Sequence, residues 1–166
     1  MENHNVSASR ATFGAILSRA SEIRMSSPDP PPGFEPLFRT SPFLDTVGPL
    51  FCRRDPDREL VIGLRIAEKH VNARGMAHGG LLLTLADIAL GYRTAFSQDP
   101  PAGLITASLT ADFAGAAKIG DWVEAHVDVQ KIGGRLAFAN AFLTVDGERI
   151  VRASAVFART ASLSQS

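Results

Sequence analysis

The sequence predicts an α+β fold: an antiparallel sheet curled around one long central helix. Three observations carry this. Several segments alternate apolar and polar residues with a period of two. A single long segment, Ala77 to Phe96, is apolar on nearly every side. Tight-turn pairs, Gly133-Gly134 and Asp146-Gly147, join the later segments.

Taken in order, a first strand is expected at about 47–54. The next follows where Leu60, Ile62, Leu64 and Ile66 alternate with Val61, Gly63, Arg65 and Ala67. In the helical segment, Leu82, Leu85, Ala86, Ala89 and Leu90 form a wide apolar face. Leu81 and Ile88 leave little of the remainder polar, so the helix should be buried. Pro100-Pro101 closes it. A strand at about 103–113 comes next. In the following strand Trp122, Glu124, His126, Asp128 and Gln130 should form a wet face opposite Val123, Ala125, Val127 and Val129. Leu136–Val145 and Arg149–Arg159 complete a meander through the two turn signals.

The chain has 166 residues, which fits one domain. Residues 1–35 differ in composition and read as a tail. Phe13, Ile16, Leu17, Ala20 and Ile23 have helical spacing, and Pro28 with Pro30–Pro32 makes a stiff connector. Residues 36–166 read as the folded domain. Lys and Arg total 17 against 17 Asp and Glu, so the charge footprint of a nucleic-acid binder is missing. Cys52 is the only cysteine, which excludes an internal disulfide and suggests a reducing compartment. No apolar run approaches the ~20 residues that span a bilayer, and Glu2 sits where a secretory signal carries positive charge. A cytoplasmic protein without membrane association is expected. No Cys/His cluster has metal-ligand spacing, so neither metal nor other cofactor is expected.

The segment Asn72-Ala-Arg74-Gly-Met-Ala-His78-Gly79-Gly80, directly before the long helix, is the densest in chemistry. The first N–H groups of a helix lack intrahelical acceptors and carry partial positive charge. Beside small residues they can stabilise an oxyanion, although two glycines also serve close packing alone. Asp87 stands among apolar residues of the helix, where a carboxylate costs several kcal/mol unless paired, hydrogen-bonded or wet. It is either a structural partner of a loop or a catalytic carboxylate. Gly79 and Asp87 are eight positions apart, ~12 Å along one helix. One helix therefore serves a single carbonyl poorly. Two helices from two subunits, one giving Gly79 and the other Asp87, would serve it well.

The pattern Asn72-x-x-Gly75-x-x-His78-Gly79-Gly80 followed by Asp87 resembles the hot-dog-fold acyl-CoA thioesterases of the phenylacetyl-CoA thioesterase type. The resemblance covers about residues 43–160 and extends to the turn Ala117-Lys-Ile-Gly-Asp121 before Trp122. It implies a homodimer or a dimer of dimers with sites at the subunit interface. It implies that the Gly79 N–H polarises the thioester carbonyl and that the partner's Asp87 activates water or attacks directly. Asn72 would orient water or substrate, and His78 would shape the site. A hydroxyl that holds the water in relatives falls on Thr106 or, two residues along, Ser108, and alternation puts both on one strand face. Gly80, Arg74, Lys131 and Arg135 are candidates for binding the coenzyme A substrate, with Arg93 a further cation. His126 reads as surface, and His70 has no role assigned by its spacing. Two alternatives stay beside hydrolysis: enoyl-thioester hydration or dehydration on the same fold, and a non-catalytic acyl-CoA-binding module.

Overall fold

The structure, a computed structural model, describes residues 29–54 and 59–160. The expected tail helix over Ala11–Ile23 lies outside them. In chain order the elements are β1 (Glu35–Pro36), α1 (Pro42–Val47), β2 (Leu50–Arg54), β3 (Leu60–Arg65), a 3-10 turn (Glu68–His70), α2 (Gly79–Ala95), β4 (Gly103–Phe113), β5 (Trp122–Ile132), β6 (Leu136–Val145) and β7 (Glu148–Thr160). The strands form one sheet of order β1-β2-β3-β5-β6-β7-β4, with every neighbouring pair antiparallel. The sheet curls around α2, as expected.

Small residues allow that curl. Ala137, Ala139 and Ala141 of β6 and Ala153 and Ala155 of β7 are all buried on the face that receives Leu82, Leu85, Ala86, Ala89 and Leu90. Alanines on the concave side let the backbone approach the helix, while Ile62, Leu64, Val123, Leu143 and Phe157 fill the remaining volume. The turn pair Asp146-Gly147 adopts positive φ at both residues, 50° and 84°, and forms the β6–β7 hairpin.

Three expectations need correction. The strand expected from residue 47 starts at Leu50, because Pro42–Val47 is helical. Ser41 caps that helix by accepting the Leu44 N–H, and Pro42 at its first turn supplies a preset φ. The helix α2 buries one face only. Leu81, Leu83, Asp87, Ile88, Gly91 and Tyr92 are half-buried, since the sheet covers just one side of it. Trp122 does not join a wet face: it is 9% exposed. Phe34 meets its ring edge-on at 5.0 Å, and Val61 completes a small cluster on the outer side of the sheet. Gly63 of β3 makes room for the indole, since a Cβ there would sit 2.2 Å from Trp122 Cζ2. Glu124 and His126, next along that face, are only half-buried, and their side chains approach to 3.3 Å.

Candidate active site

The loop before α2 is held from three directions. Asn72 Oδ1 accepts the N–H groups of Arg74 (2.9 Å) and Met76 (3.4 Å), and the Asn72 N–H donates to the Met76 carbonyl. Gly75 turns this loop at φ +73°, a conformation that favours glycine. The Ala77 N–H donates to the Ala117 carbonyl at 2.7 Å, so the turn after β4 clamps the loop. From below, the His70 carbonyl accepts the His78 N–H at 2.9 Å. His70 itself is buried. Its Nδ1 accepts the Ala67 N–H and its Nε2 donates to the Val47 carbonyl at 2.7 Å, which ties the loop to α1. Burial pushes the imidazole below its ordinary pKa, so it stays neutral and can make both bonds.

This scaffold delivers His78 as the N-cap of α2. Its Nδ1 accepts the Gly80 N–H at 3.1 Å, and its carbonyl accepts Leu81 and Leu82. A ring that accepts at Nδ1 carries its proton on Nε2. Gly80 is thereby occupied. Gly79 is the first helical residue, and among the described residues no acceptor meets its N–H. The Phe113 ring, at the end of β4, lies 3.5 Å from where a Gly79 Cβ would stand. The helix start therefore offers a donor beside an apolar surface.

Two turns along, Asp87 is half-buried on the side of α2 that faces away from the core. Thr106 Oγ1 donates to Asp87 Oδ1 at 2.9 Å. Both residues line a cavity of ≈320 Å³ whose other walls include Leu44, Ile88, Gly91, Tyr92, Leu104 and Phe157. A carboxylate at a cavity wall escapes much of the burial cost that a core position would impose.

Thr106 and Ser108 are not equivalent. The β4–β7 register pairs Thr106 with Phe157 and Ser108 with Val156, so Ala107 is an extra residue, a β-bulge. Thr106 shares the inner face with buried Phe157, whereas Ser108 shares the outer face with Val156. The expectation that both hydroxyls lie on one face is overturned by the bulge. The same bulge turns Leu109, Ala111 and Phe113 inward, so one strand serves Asp87 near its start and Gly79 at its end.

The structure gathers Asn72, Arg74, His78, Gly79 and Gly80 at the N-terminal end of α2, and pairs Asp87 with Thr106 near its middle. Lys131 and Arg135 are exposed beside the β5–β6 turn. That turn neighbours the C-terminal end of α2, because Arg159 donates to both the Gly133 carbonyl and Gln98 Oε1. Within one chain these two cations and the Gly79 donor thus stand at opposite ends of the helix. Arg93 is half-buried, and its Nε is enclosed without a hydrogen-bond partner. Among the described residues no three His, Cys, Asp or Glu side chains gather as metal ligands, and no helix is long and apolar enough to cross a membrane. Sequence reasoning missed the cavity wall from Arg39, Ser41 and Leu44, although Ser41-Pro42 is a legible helix-start signal.

A profile described as the thioesterase superfamily matches residues 74–151. The chain is 58% identical over 128 residues to an esterase-named protein of Pseudomonas aeruginosa, covering 76% of this chain and 95% of that one. It is 29% identical over 86 residues to acyl-coenzyme A thioesterase 13 of Mus musculus, covering 52% of this chain and 61% of the relative. A variant structure of the phenylacetic acid degradation protein PaaI of Thermus thermophilus superposes with a TM-score of 0.60 at 26% identity, covering 72% of this chain and all of that one (100%). With identity this high across nearly the whole of one relative, and with the same curled sheet around one helix, the chain belongs to the thioesterase superfamily and has its hot-dog fold.

Proposed function

We propose that the protein hydrolyses acyl-CoA thioesters to a free acid and coenzyme A, in a homodimer where each site combines Gly79 of one subunit with Asp87 and Thr106 of the other. The observation that carries the reading is the Asp87–Thr106 hydrogen bond at an apolar cavity. A carboxylate held by one hydroxyl keeps its second oxygen for a water molecule. The acyl-CoA assignment draws on the name of the mouse relative and on the motif that runs from Asn72 to Asp87.

In this mechanism the Gly79 N–H donates to the thioester oxygen, and the helix dipole favours the charge that develops there. Asp87 removes a proton from water as the water oxygen attacks the carbonyl carbon. The tetrahedral intermediate collapses, the C–S bond breaks, and the proton on Asp87 passes to the departing thiolate. A trapped acyl–aspartyl anhydride would instead favour direct attack by the carboxylate. His78 acts by capping α2 and fixing the Gly79 donor, and Asn72 by shaping the loop that leads to it. Arg74, Lys131 and Arg135 are exposed cations, proposed as partners for the phosphates of coenzyme A. The thioesterase domain is taken as 36–166 extended by Phe34 and Glu35, which respectively pack on Trp122 and pair with β2, with the earlier residues appended.

Dimerisation rests on two features. Gly79 and Asp87 are ~12 Å apart along one helix, too far to serve one carbonyl. Among the described residues the strand β4 is a sheet edge of eleven residues, and Ile105 on it is 61% exposed. An open edge of that length invites pairing with another strand. The test is thiol release measured across acyl-CoAs with the purified full chain. Release of the thiol supports hydrolysis. Loss of enoyl absorbance from crotonyl-CoA without thiol release would replace it with hydration, and tight binding without either would make the chain a binding module.

A further inference from the structure

Gly91 lies mid-helix in α2, four residues after Asp87, and lines the same cavity. Glycine is the poorest helix former after proline, so an interior glycine needs a reason. The usual reason is close packing. It holds for Gly63, where a Cβ would strike the Trp122 ring at 2.2 Å, and for Gly115, where Ile150 stands at 2.9 Å. It does not hold for Gly91. The nearest atom to a Cβ placed there is Phe157 Cε1 at 3.8 Å, an ordinary van der Waals distance. Nor does Gly91 adopt a positive φ. An alanine would fit the chain itself without displacing anything, and what it would reduce is the cavity.

We infer that Gly91 is a specificity-determining residue: its missing side chain keeps open the room beyond Asp87 into which the acyl group extends. The inference rests on the thioesterase reading and deepens it. A carbonyl carbon placed at Asp87 would leave an acyl chain room against Gly91, Ile88, Leu104 and Phe157, uncharged residues of a wall whose other ionic side chain is Arg39. Phe157, whose ring lies 3.8 Å from where a Gly91 Cβ would stand, is buried in the core. The substrate class that uses such space is a thioester whose acyl group is apolar and longer than acetyl. Acetyl-CoA would leave the space empty.

The experiment compares wild type with Gly91→Ala and Gly91→Val, measuring kcat/KM for acetyl-, butyryl-, hexanoyl-, octanoyl- and phenylacetyl-CoA, with subunit association and melting temperature measured alongside. The expected result is a selective loss. The ratio of hexanoyl and larger substrates to acetyl-CoA falls about tenfold or more in Gly91→Ala and further in Gly91→Val, as methylene-scale discrimination in an apolar pocket allows. The melting temperature of Gly91→Ala stays level or rises, because alanine is the better helix former. A uniform change across the panel, an unchanged profile, or a loss that tracks weaker subunit association would overturn the inference. Absence of hydrolysis by wild type on every thioester would instead sink the thioesterase reading. The role of Gly91 would then stand or fall on dissociation constants for the same panel: selective weakening for the larger acyl groups supports it, and uniform values refute it.

Discussion

Asp87 carries the proposed chemistry, and Thr106 sets its orientation through one hydrogen bond. Replacing Asp87 with Asn keeps the shape and removes the proton acceptor. We expect kcat to fall by at least about a hundredfold, the lower range for a positioned acid or base, with circular dichroism unchanged. Thr106→Val should lower kcat by about tenfold while Thr106→Ser largely restores it, since a lost hydrogen bond to a charged group is worth ~1.5–3 kcal/mol. If Val and Ser behave alike in steady-state kinetics, the hydroxyl has no part in the mechanism. Gly79 permits an unusually clean substitution. It is the first helical residue, where proline is tolerated, and His78 before it has ψ 134°, as a pre-proline residue requires. Gly79→Pro should therefore remove the oxyanion donor and cost kcat about a hundredfold or more while α2 remains folded.

At the scale of elements, the site depends on how the loop of residues 66–78 is anchored to α1 and to the turn after β4. His70 is the anchor on the α1 side, and its neutral form makes both of its side-chain bonds. Burial lowers its folded pKa, so the unfolded chain binds the proton more readily. Its contribution to stability is therefore complete above the ordinary histidine value of about 6.5 and is lost as pH falls below it. The melting temperature should drop between pH 7.5 and pH 5, and His70→Ala should flatten that dependence at a cost of about 1–3 kcal/mol from the two orphaned groups. A His70→Ala protein with the same pH slope as wild type would show that another group governs it. Much of this element pattern was legible: alternation and the turn pairs, with the order of segments, marked five of the seven described strands closely, and apolar spacing marked α2 to within two residues. The bulge at Ala107 was not, because Thr106, Ala107 and Ser108 each suit a strand and only the pairing with β7 reveals the extra residue. Nor was the burial of Trp122, which depends on Phe34, a residue far from it in sequence.

For the whole molecule, the described residues leave β4 unpaired on one side and α2 uncovered on one face. The proposed second subunit would cover both. Ile105→Lys, placed on the exposed side of the edge strand, should shift the assembly toward monomer in sedimentation and lower activity in parallel. Activity retained by a verified monomer would contradict a shared site. The Asn72–Asp87 motif was legible as chemistry because its residues are consecutive or one helix apart, whereas the cavity wall from Arg39 to Leu44 is remote in sequence and joins only through α1. The most direct measurement is complementation between subunits. Gly79→Pro and Asp87→Ala proteins, each nearly inactive alone, are mixed, dissociated and reassociated, and heterodimers are confirmed by native mass spectrometry. In a two-fold dimer each heterodimer regains one intact site, so an equal mixture should recover about a quarter of wild-type thiol release. Heterodimers that form and stay inactive would contradict the account.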